Sequence, residues 1–130
     1  MISPDPNKMD ELVRLCADHA AFEQSTYSPK GKGERLKADI FSDSPKMYCK
    51  VIELDGAYIG HITWMRQYAT WDAAEYLYMD CLYIDDAHRS KGLGVQLVNH
   101  MKTYATENEI STIQWQTPDF NTRAIKFIRE

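Results

Sequence analysis

The sequence predicts a mixed α/β fold: one sheet flanked by helices, built around a strong strand–loop–helix junction. Three observations carry that reading. The apolar period changes along the chain, from helical near the N-terminus to β-like in the middle and back to helical after residue 93. Asp55-Gly56 stands between two β-rich runs, a tight-hairpin signature. A third β-rich run, residues 76–84, leads into a polar, glycine-bearing turn and then a helical pattern.

The elements follow in order. A first helix is expected from a cap at Asn7 to Phe22, with Met9, Leu12, Val13, Cys16 and Ala20 at helical spacing. Residues 24–33 (QSTYSPKGKG) read as a loop, broken by Pro29, Gly31 and Gly33. A short helix over 34–41 uses Leu36, Ile40 and Phe41, and Ser44-Pro45 ends it. Strands 48–54 and 58–66 form the hairpin, and a connection over 67–75 carries Trp71 and Asp72. Strand 76–84 is apolar on both faces, as a central strand is. Leu97, Val98, Met101, Tyr104 and Ala105 define a helix over 93–107. Strand 112–117 puts Ile113 and Trp115 on one face, and Pro118-Asp119 breaks it. A last helix starts at Asn121 or Thr122 and carries Ala124, Ile125, Phe127 and Ile128.

Composition excludes several classes. The 130 residues suit a single domain over 1–130, with 44% hydrophobic and 26% charged residues. Eight Tyr, four Phe and three Trp supply a core and argue against disorder. No apolar run is long enough to span a membrane, and Met1 to Asp10 holds no apolar h-region. Fifteen Lys+Arg against 19 Asp+Glu leave a net charge of −4, so no nucleic-acid partner is expected. Cys16, Cys49 and Cys81 are odd in number and far apart, which reads as free thiols in a reducing cytoplasm. His19, His61, His88 and His100 show no H-E-x-x-H spacing, so no metal is expected.

The informative stretch is YLYMDCLYIDDAHRSKGLG, residues 76–94. Arg89-Ser90-Lys91-Gly92-Leu93-Gly94 reads R-x-x-G-x-G between a strand and a helix start. There the first helical N–H groups lack intrahelical partners and the dipole is positive. Gly92 and Gly94 let backbone close on an oxyanion, and Arg89 and Lys91 add charge. The same six residues alone would also suit a plain turn with solvated basic side chains.

With its context, this stretch resembles the GCN5-related N-acetyltransferase (GNAT) family. The hairpin, the strand YMDCLYI, the loop HRSKGLG opening a helix, and Asn121-x-x-Ala124-x-x-Phe127 after a later strand match in order and spacing. The helix ending AAFE (Ala20–Glu23) and the segment YATWDAAEYLYMD are most similar to the diamine (spermidine/spermine-type) acetyltransferases. The resemblance implies a GNAT-type, mostly antiparallel sheet flanked by helices, apparently without the family's C-terminal strands. It implies acetyl-CoA as acetyl donor and direct transfer to a primary amine of a small, polyamine-like or aminoglycoside-like cation. Protein or peptide acetylation, and a degenerate acyl-CoA-binding module, are the alternatives.

Residue by residue, the resemblance assigns Arg89, Ser90, Lys91, Gly92, Leu93, Gly94 and Val95 to the coenzyme's diphosphate. Leu82, Tyr83 and Ile84 would pair with its pantetheine arm as an extra strand segment. Asn121 would approach that arm, and Phe127 would either serve the same site or pack the core. Asp80 is the candidate base, expected to be buried in its strand with a raised pKa. Phe22, Glu23, Trp71 and Asp72 are the candidate acceptor residues, offering carboxylates and aromatic faces to a cation. The tyrosine that follows the family's phenylalanine is replaced here by Ile128. The edge of the last strand suggests a homodimer.

Overall fold

A computed structural model describes residues 2–22 and 25–115. Asp5, rather than Asn7, caps the N-terminal segment: its Oδ1 accepts the Asn7 N–H at 2.8 Å. That bond opens a single 3-10 turn, Pro6–Lys8, with proline in its first turn where no N–H is needed. Helix α1 (Met9–Phe22) follows and buries Met9, Leu12 and Leu15. Val13, Cys16 and Ala20 are only half-buried, so the core stripe is rotated toward Leu15 relative to the sequence reading. Helix α2 (Lys32–Ile40) lies against α1 and presents Leu36 and Ile40 to the same core.

Strands β1 (Tyr48–Leu54), β2 (Ala57–Ala69), β3 (Ala74–Ile84) and β4 (Ile113–Trp115) form a sheet in the order β1-β2-β3-β4. The first three are antiparallel, and β4 is parallel to β3. Asp55 and Gly56 both have positive φ, 52° and 84°, which the two-residue hairpin turn demands. The segment read as a long connection is mostly strand. Tyr68 pairs with Glu75 and Ala69 with Ala74, leaving only residues 70–73 as a tip. Arg66 grips Glu75 with two bonds, at 3.1 and 2.5 Å, across this extension.

The sheet is covered on both faces. Helix α1 packs on one face with Cys49, Val51, Tyr58 and Tyr83. Helix α3 (Leu93–Glu107) packs on the other with Ile62, Trp64, Leu77 and Met79. Leu12, Leu15, Ile62, Leu77 and Leu97 are fully buried. Each such side chain contributes roughly 1.5–3 kcal/mol by leaving water.

One irregularity positions the site. Thr63 pairs with Cys81, but the next residue, Trp64, pairs with Met79. Asp80 is therefore the extra residue of a β-bulge, which inverts the inward–outward alternation along β3. Leu77 and Met79 join the α3 core before it; Leu82 and Ile84 join the same core after it. Tyr83 joins the α1 core.

Candidate active site

Strand β3 and the loop after it form one continuous surface. The β3–β4 pairing runs from Leu77↔Ile113 to Met79↔Trp115. Residues 81–84 continue to pair with β2 but, among the described residues, have no strand on their other side. Leu82 and Ile84 are half-buried on this edge, and Tyr83 is buried. A 3-10 turn, Asp86–His88, then leads into the loop Arg89–Gly92.

The loop's backbone carries two left-handed residues. Ser90 has φ 66° and Gly92 φ 76°, while Lys91 between them is not left-handed. Such alternation points successive N–H groups into one concavity. The α3 hydrogen-bond ladder starts with Gln96 N–H to Gly92 O at 3.2 Å. The N–H groups of Leu93, Gly94 and Val95 thus precede the ladder, at the positive end of a 15-residue helix. Among the described residues, and apart from its chain neighbours, no atom lies within 4 Å of the position a Gly92 Cβ would take, so the backbone is open there. Lys91 is exposed beside it.

Arg89 departs from expectation. Its guanidinium is folded inward, with Nε–H donating to Ile84 O at 2.8 Å and Nη1 3.0 Å from Asp86 Oδ1. Its Cζ sits 4.0 Å over the Phe22 ring and 5.2 Å from the Tyr83 ring. Tyr83 in turn stacks on His19 at 5.0 Å. The structure thus gathers Phe22, Tyr83, Ile84 and Arg89 at one place, where the C-terminal end of α1 meets the end of β3.

Asp80 also departs from expectation: the bulge turns its side chain outward and leaves it exposed. Its Oδ2 accepts the Cys81 thiol at 3.6 Å. Burial, with the Asp80 charge beside it, pushes the Cys81 thiol far up, so it remains S–H and is a poor nucleophile. Trp71 and Asp72 stand at the β2–β3 tip, with Trp71 completely exposed. From Ala74 to Asp80 six steps of extended chain at about 3.3 Å each put roughly 20 Å of strand between the tip that carries Trp71 and Asp80, so one chain does not bring them together. Glu23, Asn121, Phe127 and Ile128 lie outside the described residues.

Several buried polar side chains near the bulge and along β2 were not assigned to a site by the sequence reading. The Tyr27 hydroxyl is buried beside Cys16 and Cys81, and burial raises its pKa to about 12. The Thr63 hydroxyl is buried opposite Cys81. His61 is 0% exposed and neither ring nitrogen has a protein partner among the described residues. Burial, reinforced by His19, lowers its pKa to about 3. Their proximity was hidden because only strand register joins Thr63 to Cys81.

His61 yields a pH prediction. Between pH 6.5 and about 3 the unfolded chain binds a proton there and the folded chain does not. Stability from this group is therefore complete above pH 6.5 and falls as pH drops toward 3. Well inside that window the loss approaches tenfold in the folding equilibrium per pH unit. Urea unfolding at pH 7, 6, 5 and 4 should show His61→Phe gaining on the wild type as pH falls. Parallel curves would contradict a neutral buried imidazole.

Comparison with known proteins agrees with this geometry. A family model for the acetyltransferase (GNAT) family matches residues 12–130. The chain belongs to the GNAT acetyltransferase family. Its relatives include a thialysine N-epsilon-acetyltransferase of Mus musculus, 23% identical over 92% of this chain and 74% of that one. Another is a spermidine/spermine N(1)-acetyltransferase-like protein 1 of Homo sapiens, 21% identical over 90% of this chain and 18% of that protein. Among solved structures, an aminoglycoside acetyltransferase from an uncultured soil metagenomic sample, in complex with sisomicin, superposes with TM-score 0.78. It is 22% identical and the match covers 99% of this chain and 82% of that one, a likeness of fold. The GNAT assignment makes the protein an acyltransferase.

Proposed function

We propose that this GNAT protein moves an acetyl group from acetyl-CoA to a primary amine of a small, polyamine-like cation. One observation carries the reading: β3 residues 81–84, which among the described residues have no strand on their other side, lead through a short turn into a loop whose leading helical N–H groups stand outside the ladder. An extended arm bearing a diphosphate at one end fits that sequence of features. Its arm would hydrogen-bond along Leu82–Ile84 as an added strand, and its diphosphate would take the N–H groups from Lys91 to Val95. Ser90, Gly92, Leu93 and Gly94 shape that cradle, while Lys91 adds charge.

The chemistry follows from the residues nearby. An alkyl amine is mostly protonated at pH 7 and cannot attack until it loses a proton. Asp80, exposed on the bulge, is the candidate group to take it, directly or through one water. A backbone N–H of β3, with Leu82 the candidate, would stabilise charge growing on the thioester oxygen. The carbon–sulfur bond breaks as the carbon–nitrogen bond forms, and the leaving thiolate takes a proton. Phe22, with Arg89 over one face of its ring and part of its surface exposed, offers its remaining aromatic surface to the cation, with Glu23 beside it in the chain. The thialysine and spermidine/spermine relatives favour a small cationic acceptor over a peptide. A second copy would cover the bare Trp71 tip, and Trp71 and Asp72 would then face the acceptor from the partner.

The test is calorimetric titration with acetyl-CoA followed by thiol release across a panel of diamines, polyamines, aminoglycosides and peptides. Saturable binding with thiol release on a small amine is the expected result. Binding without release on any amine would replace this reading with an acyl-CoA-binding module. Absence of binding would overturn it.

A further inference from the structure

The Arg89 side chain belongs to a different place from its backbone. The backbone opens the anion loop, in extended conformation at φ −73° and ψ 162°. The side chain is only 17% exposed, and its guanidinium is bonded to Ile84 O and paired with Asp86. Its flat face covers the Phe22 ring at 4.0 Å, and the same ring meets Tyr83 edge-on at 6.3 Å. A cation that served only to neutralise a diphosphate would need neither the carbonyl nor the ring. A planar guanidinium makes both contacts through one rigid fork, a geometry that a flexible ammonium does not reproduce.

We infer that Arg89 is a positioning residue that couples the coenzyme loop to the acceptor-facing end of α1 through the face of Phe22. This rests on the reading of Phe22 as an acceptor residue. A diphosphate on the loop amides fixes the Arg89 backbone. The bonds to Ile84 and Asp86 pass that constraint to the guanidinium, and the guanidinium holds the ring that meets the cation. Because coupling between two binding sites is reciprocal, the amine tightens the coenzyme by the same factor.

The experiment titrates CoA, which cannot turn over, into the wild type with and without saturating spermidine. The expected wild-type result is that spermidine tightens CoA about fivefold or more. Arg89→Lys keeps the positive charge but should bring that ratio to one. Phe22→Leu should do the same, and Phe22→Tyr, which keeps the ring, should preserve the ratio. The double variant Arg89→Lys/Phe22→Leu should lose no more coupling than either single. A ratio that survives in Arg89→Lys or Phe22→Leu overturns the inference, as does a wild-type ratio of one with both ligands bound. A wild type that binds neither CoA nor any amine would instead overturn the acetyl-transfer reading on which it stands.

Discussion

Asp80→Asn should lower kcat by about 100-fold or more and leave acetyl-CoA affinity nearly unchanged, the range expected when a proton acceptor in the transition state is removed. The substitution is nearly isosteric, so shape and volume hardly change. The side chain is exposed, and its contact with the Cys81 thiol at 3.6 Å is long even for sulfur. Folding should therefore be little affected, with thermal midpoints within a few degrees. Steady-state kinetics and calorimetry on the same preparation separate the outcomes. Normal turnover would remove Asp80 from the reaction. Equal losses in kcat and coenzyme affinity would make it a structural residue of the bulge.

Gly92→Val should weaken acetyl-CoA on the order of 100-fold, about 3 kcal/mol. At φ 76° an L residue is strained by roughly 1–2 kcal/mol, and a β-branched one by more. The protein itself has room for a Cβ there, so crowding falls on whatever occupies the concavity. If the loop relieves strain by leaving the left-handed region, its N–H groups turn out of the concavity. Gly92→Ala should lie between Val and wild type. Unchanged affinity in Gly92→Val would count against the loop as an anion cradle.

Local chemistry made much of this architecture legible. Asp55-Gly56 can form its turn almost regardless of surroundings, and α3 begins at Leu93 and ends at Glu107 as the period implied. Features set by pairing were not legible. A strict two-residue alternation puts Met79, Cys81 and Tyr83 on one face, but the bulge sends Met79 to the α3 core and Tyr83 to the α1 core. The same bulge turns Asp80 outward, against the expectation of a buried carboxylate. Gln67, Tyr68 and Glu75 read as loop because the hairpin extends beyond the core, where strands need no apolar face. The loop motif showed where an anion could sit but not where Arg89 would point, because its partners Ile84 O and Phe22 are supplied by the fold. Likewise Asp5 displaced Asn7 as the cap because Pro6 can start a turn without an N–H.

The most direct measurement is a crystal structure of the protein with acetyl-CoA. The account predicts diphosphate oxygens within hydrogen-bond distance of the N–H groups between Lys91 and Val95, and the pantetheine arm lying along residues 82–84 beside β3. A coenzyme diphosphate bound elsewhere, with those N–H groups turned to the protein or to solvent, would contradict it.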